Sequence, residues 1–191
     1  MLSEWTDDQL VDRCQQVEPI DLAAYQELVR RHESLVFNTC LKMIRSYPDA
    51  EEISQDAFVQ VYHKMHQFER RAAFKTWLFR IVYNLCLRRR EVINRRSVKE
   101  SEAGEEIAHD LQQKAIDANA KLELSETVQE AMDKLEGDHR EVILLKYISG
   151  LTLQEIADVL EISLSAAKMR LYRALEKFKE HYVRIEPVSA A

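Results

Sequence analysis

Glycine, proline and cysteine are scarce in this chain, with three of each in 191 residues. So few glycines and prolines argue for long helices and few tight turns. Alternating β-branched and aromatic runs, the mark of strands, are nearly absent as well. Cys14, Cys40 and Cys86 are an odd, widely spaced set with no CxxC. That pattern speaks against a disulfide framework or a cysteine zinc site, and the three read better as small buried hydrophobes. His63 and His66 lie three apart with no neighbouring ligand to complete a site, so they read as surface or groove histidines. There is no nucleophile elbow, no glycine-rich phosphate loop and no HExxH. Catalysis, a cofactor and a resident metal are therefore not expected. No apolar run approaches the length that spans a bilayer. The opening MLSEWTDDQLVDRC is acidic and has no basic and apolar leader, so the expected compartment is the cytoplasm.

The composition, 46% hydrophobic and 31% charged, is that of an ordinary soluble protein, and the length allows one domain or two small ones. A net charge of -6 at first speaks against a nucleic-acid partner. Its distribution reverses that. Between Arg70 and Lys99 ten basic residues face a single acid, Glu91. Between Glu100 and Glu126 eight acids face Lys114 and Lys121. Such segregation of sign along a chain points to function that the overall charge hides.

The stretch LTLQEIADVLEISLSAAKMRLYRALEKF, Leu151 to Phe178, reads as two short helices joined by a turn. Thr152 offers a cap oxygen, with Glu155 at capping-box spacing. Leu153, Ile156, Ala157 and Leu160 form one apolar face. The pattern breaks at Glu161-Ile162-Ser163, and Ser163 or Ser165 caps the next helix. There Ala166, Met169, Leu171, Leu175 and Phe178 compete for the inward side, while Lys168, Arg170, Arg173, Lys177 and Lys179 dress the rest. This is the layout of a helix-turn-helix whose second helix enters the major groove. A plain helical hairpin with a solvated basic face is the alternative.

Upstream, helical periodicity begins near Thr6 and breaks at 17–20. A helix from about Asp21 to Ser46 carries Leu22, Tyr25, Leu28, Val29, His32, Val36, Cys40, Met43 and Ile44 on one face. Tyr47-Pro48 should end it, because a residue before proline resists helical angles. Asp49 then opens a helix to about Met65, with acids in its first turns that suit the helix dipole. After a loop at 67–73 comes a helix from Phe74 to about Arg96, with Trp77, Leu78, Ile81, Val82 and Leu85 inward. The chain is thus expected to be all-α. A helix bundle occupies 1–96, and a flexible acidic linker 97–121, helical in part near 111–115. A second helical domain spans 122–183, with helices near 123–135 and 139–148, and a tail fills 184–191.

Two segments carry a resemblance that spans nearly the whole chain. DAEEISQDAFVQVYHKMHQFERRAAFKTWLFRIVYNLCLRRR, Asp49 to Arg90, and LEGDHREVILLKYISGLTLQEIADVLEISLSAAKMRLYRALEKF, Leu135 to Phe178, are similar to domains two and four of extracytoplasmic-function (ECF) sigma factors. The acidic-aromatic helix, the FxTWLxRIxxN helix and the helix-turn-helix stand in that family's order. The resemblance implies a specificity subunit that binds core RNA polymerase, recognises promoter DNA at its -35 and -10 elements, and helps melt the duplex. It also implies an anti-sigma factor, often membrane-anchored, that holds the protein inactive.

Residue by residue, the resemblance gives polymerase docking to Glu51, Glu52, Gln55, Asp56 and Val59, which without it read as a solvated acidic face. It gives the -10 element to the loop Phe68 to Ala73 and to the helix after it. Phe68, Ala72 and Ala73 shape a pocket for a flipped base, and Asn84 meets the base edge. Lys75, Arg80, Arg88 and Arg89 hold phosphates. Trp77 is a further candidate as a stacking platform, although its place on the apolar face favours the core. Arg70-Arg71 is more basic than that loop commonly is, which bears on the base it prefers. For the -35 element the positions are Ser163, Ser165, Lys168, Met169, Arg170, Tyr172 and Arg173, with Arg173 able to read guanine or clamp phosphate. Leu171 and Leu175 are expected in the core. A stand-alone DNA-binding regulator and a helical adaptor without DNA remain the competing readings of the residues alone.

Overall fold

A computed structural model of the chain describes residues 2–103 and 125–185, and every regular element among them is helical. The side chains are described to 95 in the first stretch. Most of the expected acidic linker, its helical stretch near 111–115 and the end of the tail lie outside the described residues. The chain divides into two units, Met1–Ala118 and Asn119–Ala191. Among the described residues no helix is long and apolar enough to cross a membrane.

The first unit is built on α1 (Asp7–Gln16), α2 (Leu22–Ile44), α3 (Tyr47–Lys64) and α4 (Phe74–Ala103). The first two starts are written in the sequence. Thr6 and Gln9 form a reciprocal capping box on α1, at 3.3 and 2.8 Å. Asp21 caps α2 by accepting from the Ala23 and Ala24 amides, and Arg13 binds the same carboxylate at 2.7 Å. The Tyr47-Pro48 pair does not end a helix as expected. Arg45, in the left-handed region at φ 62°, ends α2 first, and Ser46 caps α3, which puts Pro48 in the first turn. A proline is tolerated there because the amide it lacks would have no helical partner.

Leu10, Val11 and Cys14 from α1 meet Leu28, Val36, Cys40 and Leu41 from α2, and Ala50, Ile53, Ala57 and Val61 from α3, in one buried core. From α4 come Phe74, Leu78, Phe79, Val82 and Cys86. Burial of each large apolar side chain contributes roughly 1.5–3 kcal/mol. Leu22, expected inward, is exposed, because the packed face of α2 begins two to three residues later, at Ala24 and Tyr25. Phe79, absent from the expected face of α4, is fully buried. All three thiols are buried, and burial pushes that of Cys14 up to about 11.

The second unit contains α5 (Glu126–Asp133), α6 (Gly137–Ile143), a π turn (Leu144–Ile148), α7 (Leu153–Leu160) and α8 (Leu164–Ile185). Gly137, expected as a break, is the first residue of α6, and Glu136 stands at its cap. The widened turn closes with the Ser149 amide on the Leu144 carbonyl at 3.0 Å. Gly150 follows at φ 62°, a left-handed turn that glycine adopts without a Cβ clash. α8 packs against α5, α6 and α7 and so forms the spine of the unit.

Candidate nucleic-acid interface

The helix-turn-helix begins at Thr152. Its hydroxyl accepts from the Glu155 amide at 3.2 Å, and the Glu155 carboxylate accepts from the Thr152 amide at 2.7 Å. Ile156, Ala157 and Val159 of α7 are buried. The turn is made by Glu161, at φ 55° and ψ 41°, and the Ile162 amide returns to the Ala157 carbonyl at 3.0 Å. Of the two candidate serines, Ser163 caps α8, accepting from the Ala166 amide at 3.1 Å, and Ser165 lies exposed one residue into the helix.

α8 touches its neighbours with small residues. Ala167 and Ala174 are its fully buried positions, Leu171 and Phe178 are half-buried, and Leu175 is exposed. The expectation of Leu175 as core fails, and so does that of an inward Met169, because Ala167 and Ala174 take the fully buried positions of α8, where their small size lets the neighbouring helices approach. Leu175 instead edges an apolar groove of about 240 Å³ with Val128, Met132, Ile143, Leu144, Tyr147, Ile148 and Phe178. Lys168, Met169, Tyr172 and Arg173 are all exposed. They stand at 168, 169, 172 and 173, a spacing that gathers them on one side of the helix. Met169 and Tyr172 are 51% and 60% open, so this side is a wetted apolar strip with cations on it. Arg170 is set apart. It is half-buried, and its guanidinium reaches Asp138 at 3.5 Å.

In the first unit the basic helix presents a second such face. Arg80, Asn84 and Arg88 are exposed and four residues apart, one above the other along α4. Asn84, with a donor and an acceptor on one amide, thus lies between two guanidinium side chains. The opposite side of the helix carries the buried Phe79, Val82 and Cys86, which fix the row from behind. Lys75 is half-buried. Phe68 is buried as well, its ring stacked on Trp77 at 4.6 Å and 22°, with Phe74 edge-on at 6.2 Å. Both rings are spent on each other, so Phe68 and the half-buried Trp77 form a floor under the loop. Ala72 is half-buried and Ala73 exposed at the start of α4.

Arg89 differs from its neighbours. Its guanidinium binds Asp49 and Glu52 of α3, each at 2.7 Å. Those hydrogen bonds, first the one to Glu52, raise its already high pKa further. The sequence reading missed this pair because 40 residues separate Arg89 from Asp49. Beside it, Glu51, Glu52, Gln55, Asp56 and Val59 are exposed on α3, and Val59 is an open apolar residue amid acids.

The first face lies within residues 28–96, which match sigma-70 region 2, and the second within residues 125–178, which match sigma-70 region 4. The ECF RNA polymerase sigma factor SigW of Bacillus subtilis is 30% identical over 175 residues, 88% of this chain and 94% of its own. This chain belongs to the ECF sigma factors. The sigma factor CnrH of Cupriavidus metallidurans is 32% identical over 164 residues, 81% of this chain and 84% of its own. A solved structure of CnrH in complex with the cytosolic domain of CnrY matches with a TM-score of 0.66 at 25% identity, over 91% of this chain and 95% of that one. The sigma factor RpoE of Bartonella quintana, solved with the anti-sigma factor NepR, shares the fold with a TM-score of 0.65 at 21% identity, over 85% of this chain and 98% of that one. As a sigma factor, the protein is one of a family of non-catalytic specificity subunits. The two matched regions of this sigma factor contain the candidate DNA-facing side chains, and region 2 also contains the acidic face of α3.

Proposed function

We propose that this protein works in the cytoplasm, binds core RNA polymerase and directs it to promoters through two separate contacts with DNA. The observation that carries this reading is the pairing, in one chain, of two units that each expose a cationic helix face inside a matched sigma region. α3 docks on the polymerase through Glu51, Glu52, Gln55, Asp56 and Val59. Acids with an open valine among them suit a basic partner helix that also has an apolar residue to bury.

α4 and the loop before it take the -10 element. A base leaving the stack needs an edge reader and walls, and Asn84, Ala72 and Ala73 supply them above the Phe68–Trp77 floor. Arg80 and Arg88, with Lys75, contact phosphates. Arg89 serves less as a phosphate ligand than as a brace, since Asp49 and Glu52 occupy it. In the second unit Lys168, Met169, Tyr172 and Arg173 enter the -35 major groove. Ser163 and Ser165 approach phosphates at the N-terminus of α8, where free amides favour an anion. Arg170 acts there only once Asp138 releases it.

Neither unit has to bind tightly alone, because linked contacts add through effective concentration. The polymerase performs the bond chemistry. An anti-sigma factor restrains the protein by covering its docking surfaces; the solved complexes of CnrH with the cytosolic domain of CnrY and of RpoE with the anti-sigma factor NepR support such a partner. In vitro transcription tests the reading. Purified chain plus bacterial core polymerase is expected to give discrete transcripts from a subset of a genomic fragment pool, and core alone none. No promoter-dependent transcript from any fragment would overturn it.

A further inference from the structure

Gln15, on α1, lies outside every contact assigned above, yet its side chain is fully used on the loop that precedes α4. Its amide nitrogen donates to the Met65 carbonyl at 2.9 Å and to the Phe68 carbonyl at 2.8 Å. Its amide oxygen accepts from Arg70, at 3.2 Å from Nε and 2.8 Å from Nη2. Only this orientation of the amide works, since the flipped one would set its oxygen against two carbonyls and its NH2 against a guanidinium. Asp12, one helical turn earlier, holds the same guanidinium at 2.5 Å. Arg70 needs such holding. It sits at φ 58°, in the left-handed region that a residue with a Cβ enters only under constraint.

The loop is therefore gripped from two sides. α1 takes its backbone at Met65 and Phe68 and the side chain of Arg70, and α4 takes the Phe68 ring through Trp77. Arg71, Ala72 and Ala73 issue directly from this grip. Arg71 pairs locally, with Glu69 at 2.6 Å, so among the described residues the grip at Arg70 is the long-range hold on that side. The extra basic charge of Arg70, noted in the sequence, points at α1 and does not enter the loop.

We propose that Gln15 is a positioning residue for base selection. With Asp12 and Arg70 it sets the course of 68–73, and through that course the choice among bases at the flipped position. The proposal rests on the assignment of this loop and Asn84 to the -10 element.

The test uses full-length protein with core polymerase on forked promoter DNA carrying each of the four bases at every unpaired non-template -10 position. The readout is the ratio of binding between the preferred base and the others. Gln15→Glu keeps the length and the acceptor for Arg70 but sets a carboxylate against two carbonyls. Arg70→Gly keeps the left-handed turn and removes the guanidinium. Gln15→Glu is expected to shrink the ratio about fivefold or more, within what one good base contact discriminates. Arg70→Gly is expected to shrink it less, with core affinity and the thermal midpoint of the first unit retained in both. A parental ratio in Gln15→Glu, while Asn84→Ala abolishes the preference, overturns the positioning role and spares the pocket. A parental ratio in Asn84→Ala overturns the pocket and the positioning role together. Uniform loss on all four bases with a lowered midpoint also overturns it, by reducing Gln15 to a structural role.

Discussion

The two units present candidate DNA-facing helices that are anchored in opposite ways. In the first, α4 buries Phe74, Leu78, Phe79, Val82 and Cys86, so the row Arg80, Asn84, Arg88 rides on a helix locked by large side chains. In the second, α8 buries only Ala167 and Ala174 completely, and its position is set by close approach and by the cap at Ser163. A helix that must hold an unstacked base has to keep an amide fixed while the duplex opens. A helix that reads an intact groove meets a surface that is already ordered. On the proposed assignment the depth of anchoring suits the task, and side-chain size on the inward face sets the depth.

The sharpest way to break that comparison is Phe79→Ala. Truncating a fully buried aromatic is expected to remove about 3–5 kcal/mol from the first unit and leave the second untouched. The corresponding change in the second unit is Ala174→Leu, which forces overpacking and should remove about 1–3 kcal/mol. Thermal unfolding followed separately for each unit checks both, and similar losses from the two changes would mean that α8 is as deeply anchored as α4.

Next in size are the reading residues. Asn84→Ala should weaken open-complex formation by about 1–3 kcal/mol without altering duplex binding at -35. Arg173→Ala should do the reverse by a similar amount, with affinity for core polymerase retained. Equal loss of both activities in either variant would show a folding defect in place of a lost contact.

The neighbours Arg88 and Arg89 sharpen the point within a single helix. Arg88→Ala should lower the salt dependence of DNA binding by about one phosphate's worth. Arg89→Ala should leave that slope alone and lower stability by about 1 kcal/mol or less, because its partners Asp49 and Glu52 are only partly buried.

A smaller effect concerns pH. The hydrogen bond from His32, at 2.7 Å, holds the Asp7 carboxyl below its usual range, helped by Arg31 and opposed by burial. A depressed folded value stabilises the unit above the unfolded value and is lost as pH falls through the folded one. Asp7→Asn should therefore lower the stability of the first unit at neutral pH. The gap from the parent should close as pH falls below the ordinary carboxylate value of about 3.9. A gap that persists in acid would assign Asp7 a role without charge.

Much of the fold was legible because it depends on short-range rules. Thr6, Asp21, Thr152 and Gly150 act where spacing and residue type put them. The apolar faces of α3 and α7 follow the helical repeat. Failures came where several local choices were possible. Pro48 could end a helix or open one, and the left-handed Arg45 just before it decided. Met169, Leu171 and Leu175 could each face inward on α8, and packing selected Ala167 and Ala174 instead. The exposure of Asn84, Arg80 and Arg88 followed from periodicity, whereas the withdrawal of Arg89, Arg170 and Arg70 into ion pairs did not.

By itself, then, the sequence determined most of the helices, the caps at Thr6 and Thr152, the separation of charge along the chain and the family. Those are properties of residues a few positions apart, or of motifs whose order survives reading in one dimension. Tertiary structure decided which cations are spent on the protein's own carboxylates, as Arg89, Arg70 and Arg170 are. That choice depends on carboxylates and carbonyls brought close from 30 to 60 residues away, as Arg89 with Asp49 and Gln15 with Phe68 show. An ion pair or hydrogen bond acts over a few ångströms of space, and periodicity carries no record of which distant residues will share them.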